Sequence, residues 1–478
     1  MRFSTMANNA AVRIEHDSIG DLPVPVDAYY GIQTLRAVHN FPISGRGMPA
    51  IFIRSHALLK KCCAEVNMEL GLLDKSIGES ICKAAAEILE GKLADQFPVD
   101  VYQTGSGTST NMNLNEVIAS RANEILGGRR GDKKPVHPND HVNMGQSSND
   151  TIPTSIHIAC IFEIVRVLEP AIHTLEASLA EKSRQLWDVI KTGRTHLQDA
   201  TPIRLGQEFL GYRGQIERSS KRLSAALADL SELAIGGTAV GTGINAHPQF
   251  AAKVCERLSA ALGYKVRETT NHFQAQSTID SLVMTSGVLK TIAVSLTKIA
   301  NDIRWMSCGP RAGLGEIEIP AVQPGSSIMP GKVNPVIAES LIMVCQRVIG
   351  NDATITAAGS SGNFELNVAM PIAAAAALES IALLGHAIKN FAQQCVDGIK
   401  ATSRGPHLVT TGLMLATALA PVIGYEAAAN IAKEAAANGT TIFDVASQRT
   451  QLAPEELKKL LDPIKMVEPS DTIMPVSG

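Results

Sequence analysis

The residues best suited to chemistry lie in one twelve-residue run, Pro324–Pro335, PGSSIMPGKVNP. Its three prolines and two glycines exclude helix and strand, so it must be a shaped loop. Ser326 and Ser327 offer hydroxyls, Lys332 a full positive charge and Asn334 an amide. A phosphate loop is excluded by spacing: five residues separate Gly325 from Gly331, and Val333 follows Lys332 where Ser or Thr is required. A lone lysine beside apolar Ile328 and Met329 is odd for a plain surface connection. The run therefore reads as a catalytic or binding loop.

Two further loops carry the same chemistry. Thr104–Asn111, TGSGTSTN, brings Ser106 and Thr108 together with unhindered glycine amides; Gln146–Asp150, QSSND, brings Ser147, Ser148 and Asn149 just ahead of a helix expected near Pro153. Each alone is a common turn or cap. With Lys332 and Asn334 they form a donor set suited to a small dicarboxylate, because carboxylates take N–H and O–H donors plus one cation. A fourth segment, Gly193–Asp199, GRTHLQD, sets Thr195 and His196 between two long apolar seams. Glu339, one turn into the helix after the Lys332 loop, is the natural partner for a histidine. A carboxylate among Ile337, Leu341 and Ile342 is costly unless paired.

The elements that must position these loops are helices. PAIFIRSHALLKKCCAEVNMELG and DKSIGESICKAAAEILEGK have apolar residues at three- and four-residue spacing. Leu168, Ile172, Leu175, Leu179, Leu186 and Ile190 form one seam; Phe209, Tyr212, Ile216, Leu223, Leu227 and Leu230 a second; Leu282, Leu289, Ile292, Leu296, Ile299 and Ile303 a third. Segments 336–357 and 366–393 add two more, giving five long helices and an extended bundle. Some, such as VIAESLIMVCQRVIG, are apolar on nearly every side and must be buried on every side. One chain can hardly surround five such rods, which predicts a homo-oligomer. From about residue 404 the chain reads as a small helical cap.

Composition excludes other classes. The 478 residues carry 43 Lys plus Arg against 46 Asp plus Glu, a net charge of −3 and no basic field for nucleic acid or an anionic membrane. Apolar residues make up 45% but aromatics only 4%, so the core is aliphatic. The eight cysteines include no C-x-x-C pair and show no disulfide framework. The opening MRFSTMANNAAVRIEHD has no apolar leader core, and no run reaches about 18 uninterrupted apolar residues. The expectation is a soluble, reduced, cytoplasmic protein. Two tempting motifs fail. Gly241–Ala246 fits G-x-G-x-x-A but follows a helix, not a strand, and His137 and His141 are separated by helix-breaking Pro138.

Assembled, these loops resemble the fumarase/aspartase superfamily, and within it the class II fumarate hydratases, over nearly the whole chain from Arg13 to DPIKMVEP. GSSIMPGKVNP matches the superfamily signature; TGSGT, HPNDHVN, QSSND, GRTHLQDATP, GGTAVGTG and SGNFELNV match that branch. The resemblance implies an all-α subunit of three domains, here 1–146, 147–403 and 404–478, whose central five-helix bundle joins a twenty-helix core in a homotetramer. Three subunits would build each active site. It implies Ser326 as base, His196 paired to Glu339 as its catalytic companions, and substrate bound by Ser106, Thr108, Ser147, Ser148, Asn149, Thr195, Lys332 and Asn334. His137, Asn139 and Asp140 match a secondary dicarboxylate site. The substrate is then fumarate or malate, with no metal or organic cofactor and no nucleic-acid or membrane partner.

Three readings follow from the resemblance. Ser106, Ser148 and Thr201 stand where aspartases tend to carry Ala, Thr and Val, which favours the hydratase and a carbon–oxygen lyase. Asp27–Gly31, QFPVDVYQ and Val336–Ala338 look more like aspartase, which keeps aspartate ammonia-lyase, a carbon–nitrogen lyase, as the alternative. Pocket residues touch the leaving group and weigh more. A lyase-derived binding protein without turnover is the remote third; loss of Ser326, Lys332 or His196 would have marked it, and all three are present.

Overall fold

A computed structural model describes residues 11–469; the first ten residues, on which the reading of a missing leader partly rests, lie outside them. The described chain is all-α. Its strands occur only as short hairpins and two-residue pairs. An antiparallel hairpin, β1 (Val12–Asp17) and β2 (Gly20–Pro25), precedes α1 (Ile32–Asn40), α2 (Ala50–Glu69), α3 (Lys75–Leu89) and α4 (Thr108–Ile125). Next come α5 (Ser148–Glu163), a π-helical segment Ile164–Leu168, and α6 (Glu169–Gln185). A second hairpin, β3 (Ile190–Thr195) and β4 (Gln198–Arg204), leads into α7 (Leu205–Leu230). The rest of the long elements are α8 (Phe250–Leu262), α9 (His272–Ser277), α10 (Asp280–Met306), α11 (Val336–Gly359) and α12 (Met370–Gln394). Short helices α13 (Arg404–Thr410), α14 (Ala420–Ile423), α15 (Tyr425–Asn438), α16 (Ile442–Arg449) and α17 (Pro454–Leu460) follow.

Two compact units result. Among the described residues one takes 11–169, Lys221–Thr291 and Gln346–Leu384, the other Pro170–Ser220, Ile292–Cys345 and 385–469. All five changes of unit fall inside helical stretches. The three apolar seams are real: every member from Leu168 to Leu186, from Phe209 to Leu230 and from Leu282 to Ile303 is buried. Each such aliphatic side chain stabilises by about 1.5–3 kcal/mol relative to exposure. Ile190 is the exception in the first seam. The helix ends at Gln185, and Ile190 opens β3, where a period-four match is coincidental. Burial is not complete all round on the helices of the central region: Val294 is 56% exposed on α10, and Met343 is 62% exposed on α11.

Long-range capping supplements local propensity. Helix α1 has no side-chain cap of its own. Glu116 from α4 supplies one, accepting from the backbone N–H groups of Gly31, Gln33 and Thr34 and from the Thr34 hydroxyl. Gly31 is needed there, because a Cβ would lie 2.9 Å from that carboxylate. Three stretches, Ser148–Gln185, Asp280–Met306 and Met370–Gly398, are long and apolar enough by length and composition to cross a membrane. None is an uninterrupted apolar run, but the few polar and charged residues in each leave its mean hydropathy high.

Candidate active site

The first unit holds two of the four loops, each at the start of a helix. Gly107 caps α4 with φ +73, a conformation that favours glycine, and a Cβ there would also press on Ile152. Gly105 lies against the backbone of Val368, where a Cβ would be 1.8 Å from the carbonyl oxygen, and its own carbonyl accepts from Met370 N–H. The TGSGT loop is thereby fixed to the SGNFELNV segment. The other loop ends in a capping box: Ser147 caps α5 while Asp150 accepts from the Ser147 N–H at 2.9 Å. The helix thus begins at Ser148, five residues before the expected Pro153, which sits tolerably in the first turns. A proline near a helix start obscures the true cap from sequence.

These two helix starts meet. Ser106 Oγ lies 2.8 Å from Thr108 Oγ1, which lies 2.7 Å from Ser148 Oγ, so a chain of hydroxyls joins the two N-termini. Asn149 is anchored by its Nδ2, which donates to Ala239 O at 2.8 Å. Ser147, Ser148 and Asn149 are half-buried and Ser106 is buried. Two helix N-termini and three hydroxyls thus present donors of the kind an anion takes. Behind it Asp150 is fully buried, and its second oxygen takes the N–H groups of Gly236 and Thr238. Burial is the main influence on that carboxyl and pushes its pKa up to about 7.

The second unit holds the other two loops. His196 and Leu197 form the turn of the β3–β4 hairpin, at φ +56 and +58, which lifts Thr195 and His196 into exposure. No Asn-Gly dipeptide marks this hairpin, so from residue types alone the segment reads only as a junction. Its base is held by buried charge: Lys191 Nζ is 2.8 Å from Glu208 and 3.2 Å from Glu316, and Arg194 pairs with both oxygens of Glu316. Buried ions tolerate this only when fully paired.

The Pro324–Pro335 run is a loop, as its prolines require. It closes on itself: Gly325 N–H donates to Lys332 O at 2.9 Å and Asn334 Nδ2 to Gly325 O at 2.6 Å. A Cβ on Gly325 would meet that lysine oxygen at 2.2 Å. Ser326 Oγ accepts the backbone N–H of Ile328 at 3.2 Å and of Met329 at 3.0 Å. Lys332 is exposed, and among the described residues its ammonium forms no ion pair. Among those residues no hydrogen bond or ion pair joins Glu339 to His196.

His137, Asn139 and Asp140 come together in a single π-helical turn, Pro138–Val142. His137 Nδ1 accepts the N–H of Asn139 at 3.3 Å and of Asp140 at 3.2 Å, so this nitrogen is engaged within the turn itself. Gly241–Ala246 lies in turns, preceded by a two-residue strand, Glu232–Leu233, rather than directly by a helix; no helix starts until Phe250, so the dinucleotide reading still fails. Sequence reasoning overlooked Lys60, His56, Asn111 and Asn143 behind the QSSND loop. Lys60 shares a face of α2 with Ile53, Ala57 and Ala64, and a lysine within that apolar row was the available signal.

A family model described as lyase matches residues 20–350, and one described as fumarase C C-terminus matches 415–468. The chain belongs to the fumarase/aspartase lyase family. It is 49% identical to the class II fumarate hydratase of Methylorubrum extorquens over 96% of this chain and 97% of that one. It is 50% identical to the mitochondrial fumarate hydratase of Rattus norvegicus, covering 97% of this chain and 92% of the relative. Among solved structures, a class II fumarase from Schistosoma mansoni superposes with TM-score 0.93 at 38% identity, over 95% of this chain and 99% of that chain. A fumarate lyase:delta crystallin from Brucella melitensis superposes at 0.91 with 47% identity, over 96% and 100%.

Proposed function

We infer that this lyase adds water reversibly to fumarate, giving L-malate by anti addition and elimination through an aci-carboxylate carbanion. The observation that carries the chemistry is the pair of backbone N–H groups on Ser326 Oγ. A serine is a poor base unless its alkoxide is stabilised, and two amide donors aimed at that oxygen supply the stabilisation. In the elimination direction Ser326 takes the proton from the carbon beside a carboxylate. The electrons move into that carboxylate as a dianionic aci-acid, and the hydroxyl leaves from the neighbouring carbon with a proton. Lys332 and Asn334 bind the carboxylate that gains charge. Ser106, Thr108, Ser147, Ser148 and Asn149 bind the substrate through hydroxyls and helix N-termini, and Thr195 and His196 hold the leaving oxygen or a water. Glu339 tunes His196.

Each complete site is drawn from three copies in a homotetramer. The exposed apolar residues of α10 and α11 support this assembly, with other copies of the chain rather than lipid covering them. The three-part organisation 1–146, 147–403 and 404–478 belongs to the same proposal, the middle part being the five-helix bundle of a twenty-helix core. His137, Asn139 and Asp140 form a secondary dicarboxylate site. All eight cysteines are free, which supports a reducing compartment, the cytoplasm. Relatives include both bacterial and mitochondrial fumarate hydratases.

The test is fumarate formation, followed by ultraviolet absorbance, from L-malate and from L-aspartate. Fumarate from malate alone is expected. Fumarate from aspartate alone would replace the hydratase by the ammonia-lyase and move specificity away from Ser106, Ser148 and Thr201.

A further inference from the structure

Lys60 sits on α2 with no exposure to solvent. Among the described residues no carboxylate lies within ion-pair distance of its ammonium, and the carboxyl acting on it is that of the buried Asp150, which caps the same segment. Nζ donates instead to Asn143 Oδ1 at 2.8 Å and to Gln146 Oε1 at 3.0 Å, two neutral amides in the segment that runs into Ser147. Those amides are the framework of that segment. Asn143 Nδ2 donates to Gln146 O, and Gln146 Nε2 donates to the carbonyls of Val142 and Met144. Asn143 Oδ1 also accepts from Asn111 and Asn115 of α4, the helix that starts at Thr108. One buried cation therefore grips the approach to α5, and through Asn143 it is tied to the helix that carries the other hydroxyl loop.

An ammonium is an expensive way to fasten neutral amides, since an apolar side chain suits a dry core better. What it provides is several donors on one atom, able to hold two acceptors from different turns at once. We propose that Lys60 is a positioning residue for the carboxylate-binding segment Ser147–Asn149, acting through Asn143 and Gln146 without touching substrate. The inference rests on the reading of that segment given under Proposed function.

Lys60→Met and Gln146→Leu test it in the full-length protein, with KM and kcat for L-malate and backbone hydrogen exchange over residues 143–150. Lys60→Met should raise KM about 10- to 100-fold, as small misplacements of binding groups do, and should speed exchange at residues 146–149 while the rest of α5 stays protected. Gln146→Leu should reproduce the KM change, and the double variant should be no worse than the more severe single one. A purely structural role would lower thermal stability or folded yield but leave the KM of the surviving enzyme unchanged. Wild-type KM in folded Lys60→Met overturns the proposal. Should that variant fail to fold, wild-type KM in Gln146→Leu overturns it. If the wild type does not turn over malate, the hydratase reading fails instead, and the exchange result alone upholds or overturns the positioning role.

Discussion

Ser326 is the residue whose setting most directly meets a chemical need. A free serine hydroxyl is far too weakly acidic to serve as a base at neutral pH. Held under the N–H groups of Ile328 and Met329, its oxygen meets two fixed dipoles that favour the alkoxide and need no reorganisation during the reaction. The alternative use of those amides, capping a turn, is served by the same geometry, so mutation must separate the two. Ser326→Ala is expected to lower kcat by about 10²–10⁴-fold, the usual contribution of a positioned base, with KM for malate nearly unchanged. Steady-state kinetics on the assembled protein checks this, and near-normal turnover would remove Ser326 as the base. The neighbouring Lys332 forms no ion pair among the described residues, which suits the carboxylate-binding role proposed for it.

At the scale of elements, the site is a matter of helix starts. Helices α4 and α5 both begin at residues of the proposed site, and glycine and capping-box chemistry fix where they begin. The core behind them is unusually polar, and its titration is readable. Burial lowers Lys60 from 10.5 to about 7. The charged and titratable neighbours are Asp150, raised to about 7, Cys63, pushed well up by burial, and His56, held well below its ordinary value. For Lys60 the unfolded chain keeps its proton up to about 10.5 while the folded chain loses it near 7. Between those values the unfolded state holds more protons, so this residue makes the folded state more stable as pH rises. Lys60→Met lacks that term. The stability of Lys60→Met relative to wild type should therefore be most favourable at pH 7 and decline toward pH 10, by thermal melts in matched buffers. A pH-independent difference would mean that the lysine keeps its ordinary pKa in the fold.

At the scale of the molecule, the single chain leaves apolar helix surface uncovered. Val294 and Met343 are more than half exposed on helices that also carry buried core residues. Leaving such side chains in water forgoes about 1.5–3 kcal/mol each, which the proposed association would recover. If each site draws on several copies, two defective chains can repair one another. Ser326→Ala and Ser148→Ala, mixed in equal amounts and reassembled, should regain about a quarter of wild-type activity, the fraction of sites that random mixing in a symmetric oligomer makes intact. Activity no higher than that of the separate variants would place both serines in one chain's own site.

Much of this was legible in the sequence because the signals are local. Prolines and glycines force Pro324–Pro335 to be a loop whatever surrounds it, and a helical period with Leu and Ile at its apolar positions reports its own buried face. The all-α fold, the seams, the chemical character of the four loops and the family all follow from patterns of this kind. Tertiary structure decided what depends on residues far apart. It ended the first seam at Gln185 and turned 190–204 into a hairpin, because a strand pairing is settled by its partner. It began α5 at Ser148 rather than Pro153, through a cap whose acid also binds Gly236 and Thr238. It turned the Ser326 oxygen toward two backbone amides and set Lys60 beneath Gln146, neither of which has a spacing to read. Periodicity and turn chemistry are properties of neighbouring residues; a hydrogen bond across 86 positions, such as that from Lys60 to Gln146, exists only once the chain has folded.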